Sequence, residues 1–536
     1  MQVERAPEKQ ADLVEQLKPV LARRHGVSPD TVEHLQTHIS HVLLVGDRAY
    51  KIKKPVNFGF LDFSTLARRK QFCAEELRLN RRLAGALYEK VEPVSGPMDA
   101  PRPGESDDPV EYMVLMRRFD QDRQLDRVAA AGALSLGHMD EMANQLARFH
   151  EQAAVAGSDT RFGTPQVVFA PMEQNFEQIA EFLQEPSSQA QLERIAQWTR
   201  ARHADLTDLI ARRRADGQVR ECHGDMHLAN MALFDDELVI FDGIEFNDDF
   251  RWIDVANDLA FLLMDLEDRG LMAHARRLLN RYLEIRGDYD ALPLLRFYQV
   301  YRAVVRAKVA LLGLHHADEA ARSQIWQTYH RYADLAERLM GPLPRFLAIT
   351  HGVSGSGKSI ASRAVVEATG AIQIRSDAIR QRLFGPERDR SGQDIYTPEA
   401  TEATYRRLEE LAGEILDAGY PAVADATFLA SVRRAPWPEI ARAKGVGFHI
   451  LDMHCDRETL ERFVSERLES GQDISEADLS VLHGQLARRE PLSAAEQARA
   501  LRIRCDAPIA SQVADWLDVL LPGPAMAETP SAAGST

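Results

Sequence analysis

Hydrophobic and polar positions follow two periods along this chain, and the switches between them mark out its elements. In SHVLLVGDRAYKIKK (40–54) the alternation has period two on either side of Gly46-Asp47, which predicts two short strands around a turn. Leu66, Cys73, Leu77 and Leu83 then fall roughly on one side of a helix ending near residue 86, with Ser64 or Thr65 placed to cap its start. Strand-like stretches at 88–95 and 110–117 flank PMDAPRPGESDDP, a loop rich in Pro, Gly and acid. From Leu134 to about residue 340 the pattern is mostly helical, interrupted by a short β signal at 231–241. GPLP (341–344) punctuates the chain, and beyond it strands and helices alternate, the pattern of a parallel sheet. The ending PGPAMAETPSAAGST is of low complexity and predicts a disordered tail over 523–536.

Composition narrows the class. With 536 residues, 45% hydrophobic and 27% charged, the chain reads as a soluble globular protein of two to four domains. A net charge of −16 argues against nucleic acid or an anionic membrane as a partner, since both need a basic face. The amino terminus, MQVERAPEKQADLVEQLKPV, is charged and helical in pattern, unlike a signal peptide, and no apolar run is long enough to span a bilayer. Cys73, Cys222, Cys455 and Cys505 are scattered without a CxxC pair, so no disulfide framework is expected and a reducing, cytoplasmic location fits.

The densest chemistry lies in CHGDMHLAN (222–230). Two strand-like runs follow it, Met231–Phe234 and Leu238–Phe241, joined by Asp235-Asp236-Glu237. A hairpin there brings Asn230 and Asp242 together, with Asp225 on the preceding loop. Such an oxygen-rich set suits Mg²⁺. Cys222, His223 and His227 fit no zinc spacing. The spacing resembles the kinase catalytic loop, and HGD is the form found in the aminoglycoside phosphotransferase and choline kinase families. The resemblance implies Asp225 as the group that orients or deprotonates the acceptor hydroxyl, with Asn230 and Asp242 holding Mg²⁺. It also calls for an upstream Lys and a helical Glu. Lys51, with Ala49 two before it, and Glu76 match best, and the sequence does not separate them from Lys53 and Glu75. His223 reads as a packed structural residue and His227 as facing solvent or substrate. Asp254 and Asp258 resemble the family's acidic segment after the loop, or serve as helix caps and loop supports. In place of GxGxxG stands Thr37–Ser40, DGI replaces DFG, and no APE segment follows, which favours a small-molecule kinase over a protein kinase.

A second phosphate cradle follows GPLP. A strand at 345–350 runs into Gly352, Val353, Ser354, Gly355, Ser356, Gly357, Lys358 and Ser359, matching G-x-x-x-x-G-K-[ST], and then into a helix. Glycines admit phosphate oxygens to the backbone N–H groups, Lys358 reaches the β/γ-phosphates, and the Ser359 hydroxyl suits Mg²⁺. Asp377 and Arg380 follow a second strand, and Asp425 ends a third in the place of a Walker-B carboxylate. With the later helical segment bearing Arg462 and Arg467, then DISEADLSVL, this half resembles P-loop kinases such as gluconate kinase, polynucleotide kinase and the zeta toxins. The resemblance implies Asp377 as acceptor base, Arg380 as a clamp and Arg467 as a lid residue on the transferred phosphate. For Arg462 a solvated helix face is at least as good a reading.

The fold class expected is therefore multidomain: an α+β, two-lobed, protein-kinase-like domain over 1–340 (small lobe about 30–120, large lobe about 121–340), then an α/β P-loop domain with a parallel sheet over 341–522. The chain is identified as a member of the bifunctional aminoglycoside phosphotransferase/ATP-binding proteins. That implies ATP and Mg²⁺ as cofactors and small-molecule hydroxyl acceptors as partners. Two alternatives stand beside it: a nucleotide-sensing regulator with one inactive half, and a zeta-like kinase acting on nucleotide sugars. Residues 235–268 hold twelve acidic side chains and one basic, Arg251, consistent with a cationic acceptor or simply with metal binding and helix capping.

Overall fold

In the computed structural model, which describes residues 6–59, 61–385, 397–470 and 479–521, β1 (Glu33–Gln36), β2 (Ser40–Val45) and β3 (Arg48–Lys53) run antiparallel. The last two occupy the period-two stretch and turn at Gly46-Asp47. Helix Leu66–Ala84 follows, capped by the Thr65 hydroxyl, which accepts from Arg68 N. β4 (Tyr88–Ser95), β5 (Arg102–Pro103) and β6 (Pro109–Arg117) complete a six-stranded sheet ordered β1-β2-β3-β6-β4-β5.

Burial along β2 and β3 does not alternate as the sequence predicts, because both faces of this sheet are covered. Helix Ala6–His25 packs Leu13, Val14, Leu17 and Leu21 against Leu43, Val45, Tyr50 and Ile52 on one face. On the other, Cys73 and Ala84 of helix Leu66–Ala84 meet Val114. Lys51 and Lys53, two apart, share that second face with the helix carrying Glu76.

The helical middle is interrupted by β7 (Val219–Glu221), the hairpin β8 (Met231–Phe234) and β9 (Glu237–Ile240), and β10 (Trp252–Asp254), which pairs with β7. The hairpin turn is tighter than expected. Glu237 pairs with Phe234, leaving only Asp235 (φ 51°) and Asp236 (φ 63°) in the turn. Two left-handed residues match the strand twist, and Asp tolerates that conformation better than most residues. Helix Val255–Asp268 is buried at every position from Val255 to Leu266, so its polar residues Asn257, Asp258 and Asp265 must find partners inside.

After GPLP come β11 (Phe346–His351), β12 (Ile372–Arg375), β13 (Ala422–Asp425), β14 (Gly447–His454) and β15 (Ala500–Arg504). All pairings are parallel, in the order β12-β13-β11-β14-β15. Helix Lys358–Thr369 packs Ala361 and Val365 on this sheet. The chain divides into two units, Met1–Arg269 with Leu294–Met340, and Gly270–Pro293 with Gly341–Thr536. Gly270–Pro293 thus joins the second unit, where a single division at GPLP leaves it in the first. Hydrogen bonds to the edge strand account for this. Asn280, on helix Met272–Arg286, donates to Ala371 O at 3.0 Å and accepts from Gln373 N at 2.7 Å.

The scattered cysteines build no framework, but two of them meet. Cys455 and Cys505 form a disulfide, with Cα atoms 5.5 Å apart. They follow the ends of neighbouring parallel strands, so residues 50 apart in sequence meet in space, which no local spacing reveals. Cys73 and Cys222 are free and buried. Among the described residues no helix is long and apolar enough to cross a membrane. The tail at 523–536 lies outside the described residues.

Candidate active sites

The stretch CHGDMHLAN runs from β7 to β8 and is held from beneath by helix Val255–Asp268. Asp258 accepts from His223 N at 3.1 Å and Gly224 N at 2.8 Å, and Asp265, two turns on, accepts from Leu228 N at 2.9 Å. Arg302 donates to Gly224 O at 3.0 Å. Gly224 is required twice over: its φ is 86°, and a Cβ there would lie 2.6 Å from Phe250 O. Asp254 caps the helix through Ala256 N and pairs with Arg213 at 2.8 Å. Asp254 and Asp258 are therefore supports of the loop. His150, Cys222 and Asp258 come within 4.8 Å of one another, but Asp258 is already engaged by His150 and the two amides. The zinc candidates have separate partners: Cys222 donates to Ile253 O, and the His223 ring meets Phe241 O.

Asp225 emerges from this brace with its side chain 35% exposed. Its Oδ2 accepts from Asn230 Nδ2 at 3.0 Å and lies 3.3 Å from His227 Nε2. Burial alone raises a carboxyl; here His227 first and then Arg306 outweigh it and hold Asp225 well below the usual range. His227, expected to face solvent or substrate, does not face solvent: it is buried, edge-on to Phe261 at 5.6 Å. Its Nε2 is turned toward the Asp225 carboxylate.

The hairpin brings its ends together, as Phe241 N donates to Asn230 O at 2.9 Å. Asp242 follows with φ 63°. Lys51 pairs with Glu76 at 2.9 Å and with Asp242. Glu75 turns away to Arg78 and Arg251. Lys53 also binds Glu76, at 2.5 Å, and reaches Glu245 while lying over the Phe63 ring. Burial favours a neutral Glu76, yet Lys51 and Lys53 together bring it down to about 2. The Lys53–Glu245 pair went unnoticed in the sequence; Lys53 standing two residues from Lys51, and Glu245 three from Asp242, were its only signals. Thr37–Ser40 forms the turn between β1 and β2, where the Thr37 hydroxyl accepts from Ser40 N at 3.0 Å. A cleft of about 630 Å³ opens at the other end of β2, lined by Glu33 and Leu35 of β1, by Gly46 and Asp47 of the β2–β3 turn, and by Arg118, Phe119 and Asp120 after β6.

In the second unit β11 leads into the Gly-rich loop, and Lys358 opens helix Lys358–Thr369. Gly355 (φ 80°) and Gly357 (φ 85°) are left-handed. A Cβ on Gly355 would lie 2.6 Å from Val464 of helix Arg457–Ser470. Lys358 Nζ donates to Val353 O at 2.7 Å, Ser356 Oγ to the same oxygen at 2.8 Å, and Ser354 N to Gln485 Oε1 at 2.7 Å. Gly352 and Ser359 flank this turn. Asp425 ends β13 beside Arg375 of β12 and accepts from Gln373 at 3.0 Å. Asp377, at the start of helix Ser376–Phe384, is raised by burial even with Arg375 and Lys358 nearby. Arg380 is buried and donates to Thr401 at 3.3 Å. Arg462 is 62% exposed. The Arg467 side chain and residues 473–478 of DISEADLSVL lie outside the described residues.

These two units define a class: a protein-kinase-like phosphotransferase domain fused to a P-loop kinase-like domain. Residues 22–295 match the phosphotransferase enzyme family and residues 347–492 match a family described as an AAA domain. The chain belongs to the phosphotransferase enzyme family. It is 31% identical over 399 residues to uncharacterized proteins of Mycobacterium bovis and Mycobacterium tuberculosis, covering 73% of this chain and 78% of each relative. Among solved structures, a gluconokinase from Sinorhizobium meliloti is 23% identical, covering 34% of this chain and 93% of its own (TM-score 0.26). A choline/ethanolamine kinase family protein from Mesorhizobium loti is 13% identical, covering 61% and 99% (TM-score 0.35).

Proposed function

We propose that the first unit is an ATP- and Mg²⁺-dependent kinase for a small-molecule hydroxyl, and that the P-loop unit is a second kinase site. One observation carries the reading. Asp225 is a carboxylate kept ionised in a largely buried loop, bonded to Asn230 at one end of a hairpin whose other end carries Asp242.

The donors suit Mg²⁺. Asn230 spends its N–H on Asp225, leaving its amide oxygen available, and Asp242 already has a cationic ammonium against it. Bound there, Mg²⁺ supplies neutralising charge to the phosphates. Lys51, steadied by Glu76, grips phosphate oxygens, and Asp225 accepts the acceptor's proton as its oxygen attacks the γ-phosphorus. In the second unit Gly352–Ser359 and Lys358 hold the triphosphate, and Ser359 and Asp425 hold Mg²⁺. Asp377 is the acceptor base, Arg380 the clamp and Arg467 the lid residue.

The test isolates the first site in the full chain by Lys358→Ala. Asp225→Asn on that background keeps shape and removes the proton acceptor, and acceptor-dependent ADP release should fall ~10²–10⁴-fold with ATP affinity retained. Unchanged turnover removes Asp225 from the chemistry.

A further inference from the structure

The acidic run at 235–268 leaves a cationic acceptor open on sequence grounds, but the structure commits most of those carboxylates elsewhere. Asp235 and Asp236 pair with Arg117 and Arg123, Asp248 with Arg251 and Asp254 with Arg213. Asp258 holds the loop amides. The groups around Asp225 balance differently. Three carboxylates lie within electrostatic reach of Arg306: Asp225, Asp265 and Asp268. Each has its own partner: His227 at 3.3 Å for Asp225, Arg269 at 3.1 Å for Asp265, and Arg331 at 3.1 Å for Asp268.

Arg306 does not. It projects from helix Leu292–Leu312, and its Nε donates only to the Tyr332 hydroxyl, at a long 3.4 Å. Among the described residues it forms no ion pair within 4.0 Å. Arg302, one turn earlier, is engaged by Gly224 O, Asn257 and the Phe261 ring. Arg306 is thus a half-buried, always-charged fork beside the base, with donors to spare. Desolvating a guanidinium without a carboxylate partner is costly unless an incoming anion completes the site.

We propose that the acceptor of the first unit carries an anionic group, a phosphate or a carboxylate, near its reacting hydroxyl, and that Arg306 binds that group. This deepens the phosphotransfer reading above and rests on it. In the transfer, the hydroxyl oxygen bonds to the γ-phosphorus while the bond to the β–γ bridging oxygen breaks. ADP leaves, and the hydroxyl proton passes to Asp225.

The experiment uses full-length protein carrying Lys358→Ala, saturated with a non-hydrolysable ATP analogue and Mg²⁺, and titrates inorganic phosphate by calorimetry. Phosphate should bind, and Arg306→Gln should weaken it at least about tenfold while analogue affinity stays within about twofold. Arg306→Lys, which keeps the charge, should recover most of the binding, separating recognition from folding. Phosphate affinity unchanged in Arg306→Gln overturns the proposal, and so does a loss confined to the ATP analogue, which assigns Arg306 to the nucleotide. A turnover panel with ATP separates the two layers of the reading. Glycerate and glycerol phosphate should be used in preference to glycerol and ethanolamine. Preference for glycerol or ethanolamine, still abolished by Asp225→Asn, overturns the anionic acceptor alone; transfer indifferent to Asp225→Asn overturns the kinase reading with it.

Discussion

Glu76 shows how much a single buried carboxylate does here. It is fully buried between Lys51 and Lys53, and the two ammonium groups hold it at about 2. Asp258, braced by His150 and two amides, also stands at about 2. Both folded values lie below the ordinary ones, so their stabilisation is present above pH ~4 and lost as pH falls toward 2. Urea unfolding of the first unit should weaken steeply across that window, and Glu76→Gln should flatten the dependence. Lys53→Met leaves Glu245 buried without its partner and should cost about 3–5 kcal/mol, read as a lower denaturation midpoint. The kinase-like pattern favours Lys51 and Glu76 without separating them from Lys53 and Glu75, and in the structure both lysines reach Glu76. That Glu76 serves two lysines is not legible in the sequence, since strand β3 and the helix meet only after the sheet forms. His227 is withdrawn from solvent, with its ring nitrogen 3.3 Å from the Asp225 carboxylate.

At the scale of elements, hydropathy located the strands well but misjudged their environment. Period-two alternation argues for one wet face, and β2 and β3 have none, because helix Ala6–His25 closes the side that helix Leu66–Ala84 leaves open. Helix Met272–Arg286 carries a separate prediction. Asn280 presents an amide to the free edge of β12 as another strand would. Asn280→Ala leaves Ala371 O and Gln373 N without that partner and should destabilise the second unit by about 1–3 kcal/mol. Hydrogen exchange at the Gln373 amide is the direct readout, and an unchanged protection factor there would contradict it.

For the whole molecule, the proposed function assigns one Mg²⁺–triphosphate grip to Lys51, Asn230 and Asp242 and a second to Gly352–Ser359. Calorimetry with a non-hydrolysable ATP analogue and Mg²⁺ should give two sites per chain. Lys358→Ala should leave one, and Asp242→Ala should remove the metal-dependent binding of the other. One site in the wild type, lost with Lys358→Ala, points instead to a nucleotide-sensing protein whose first unit is a kinase-shaped scaffold. The two candidate phosphate-binding motifs and the order of their parts are legible in the sequence, because local backbone requirements write themselves into spacing: Gly224 where a Cβ cannot fit, glycines in the P-loop, a hairpin that returns Asp242 toward Asn230. Which charges remain uncommitted depends on the tertiary fold. Cys455 meets Cys505, helix Met272–Arg286 joins the second unit, and Arg306, within electrostatic reach of Asp225, is left without an ion-pair partner among the described residues, because pairing depends on which residues folding brings within a few ångströms, and sequence distance does not carry that information.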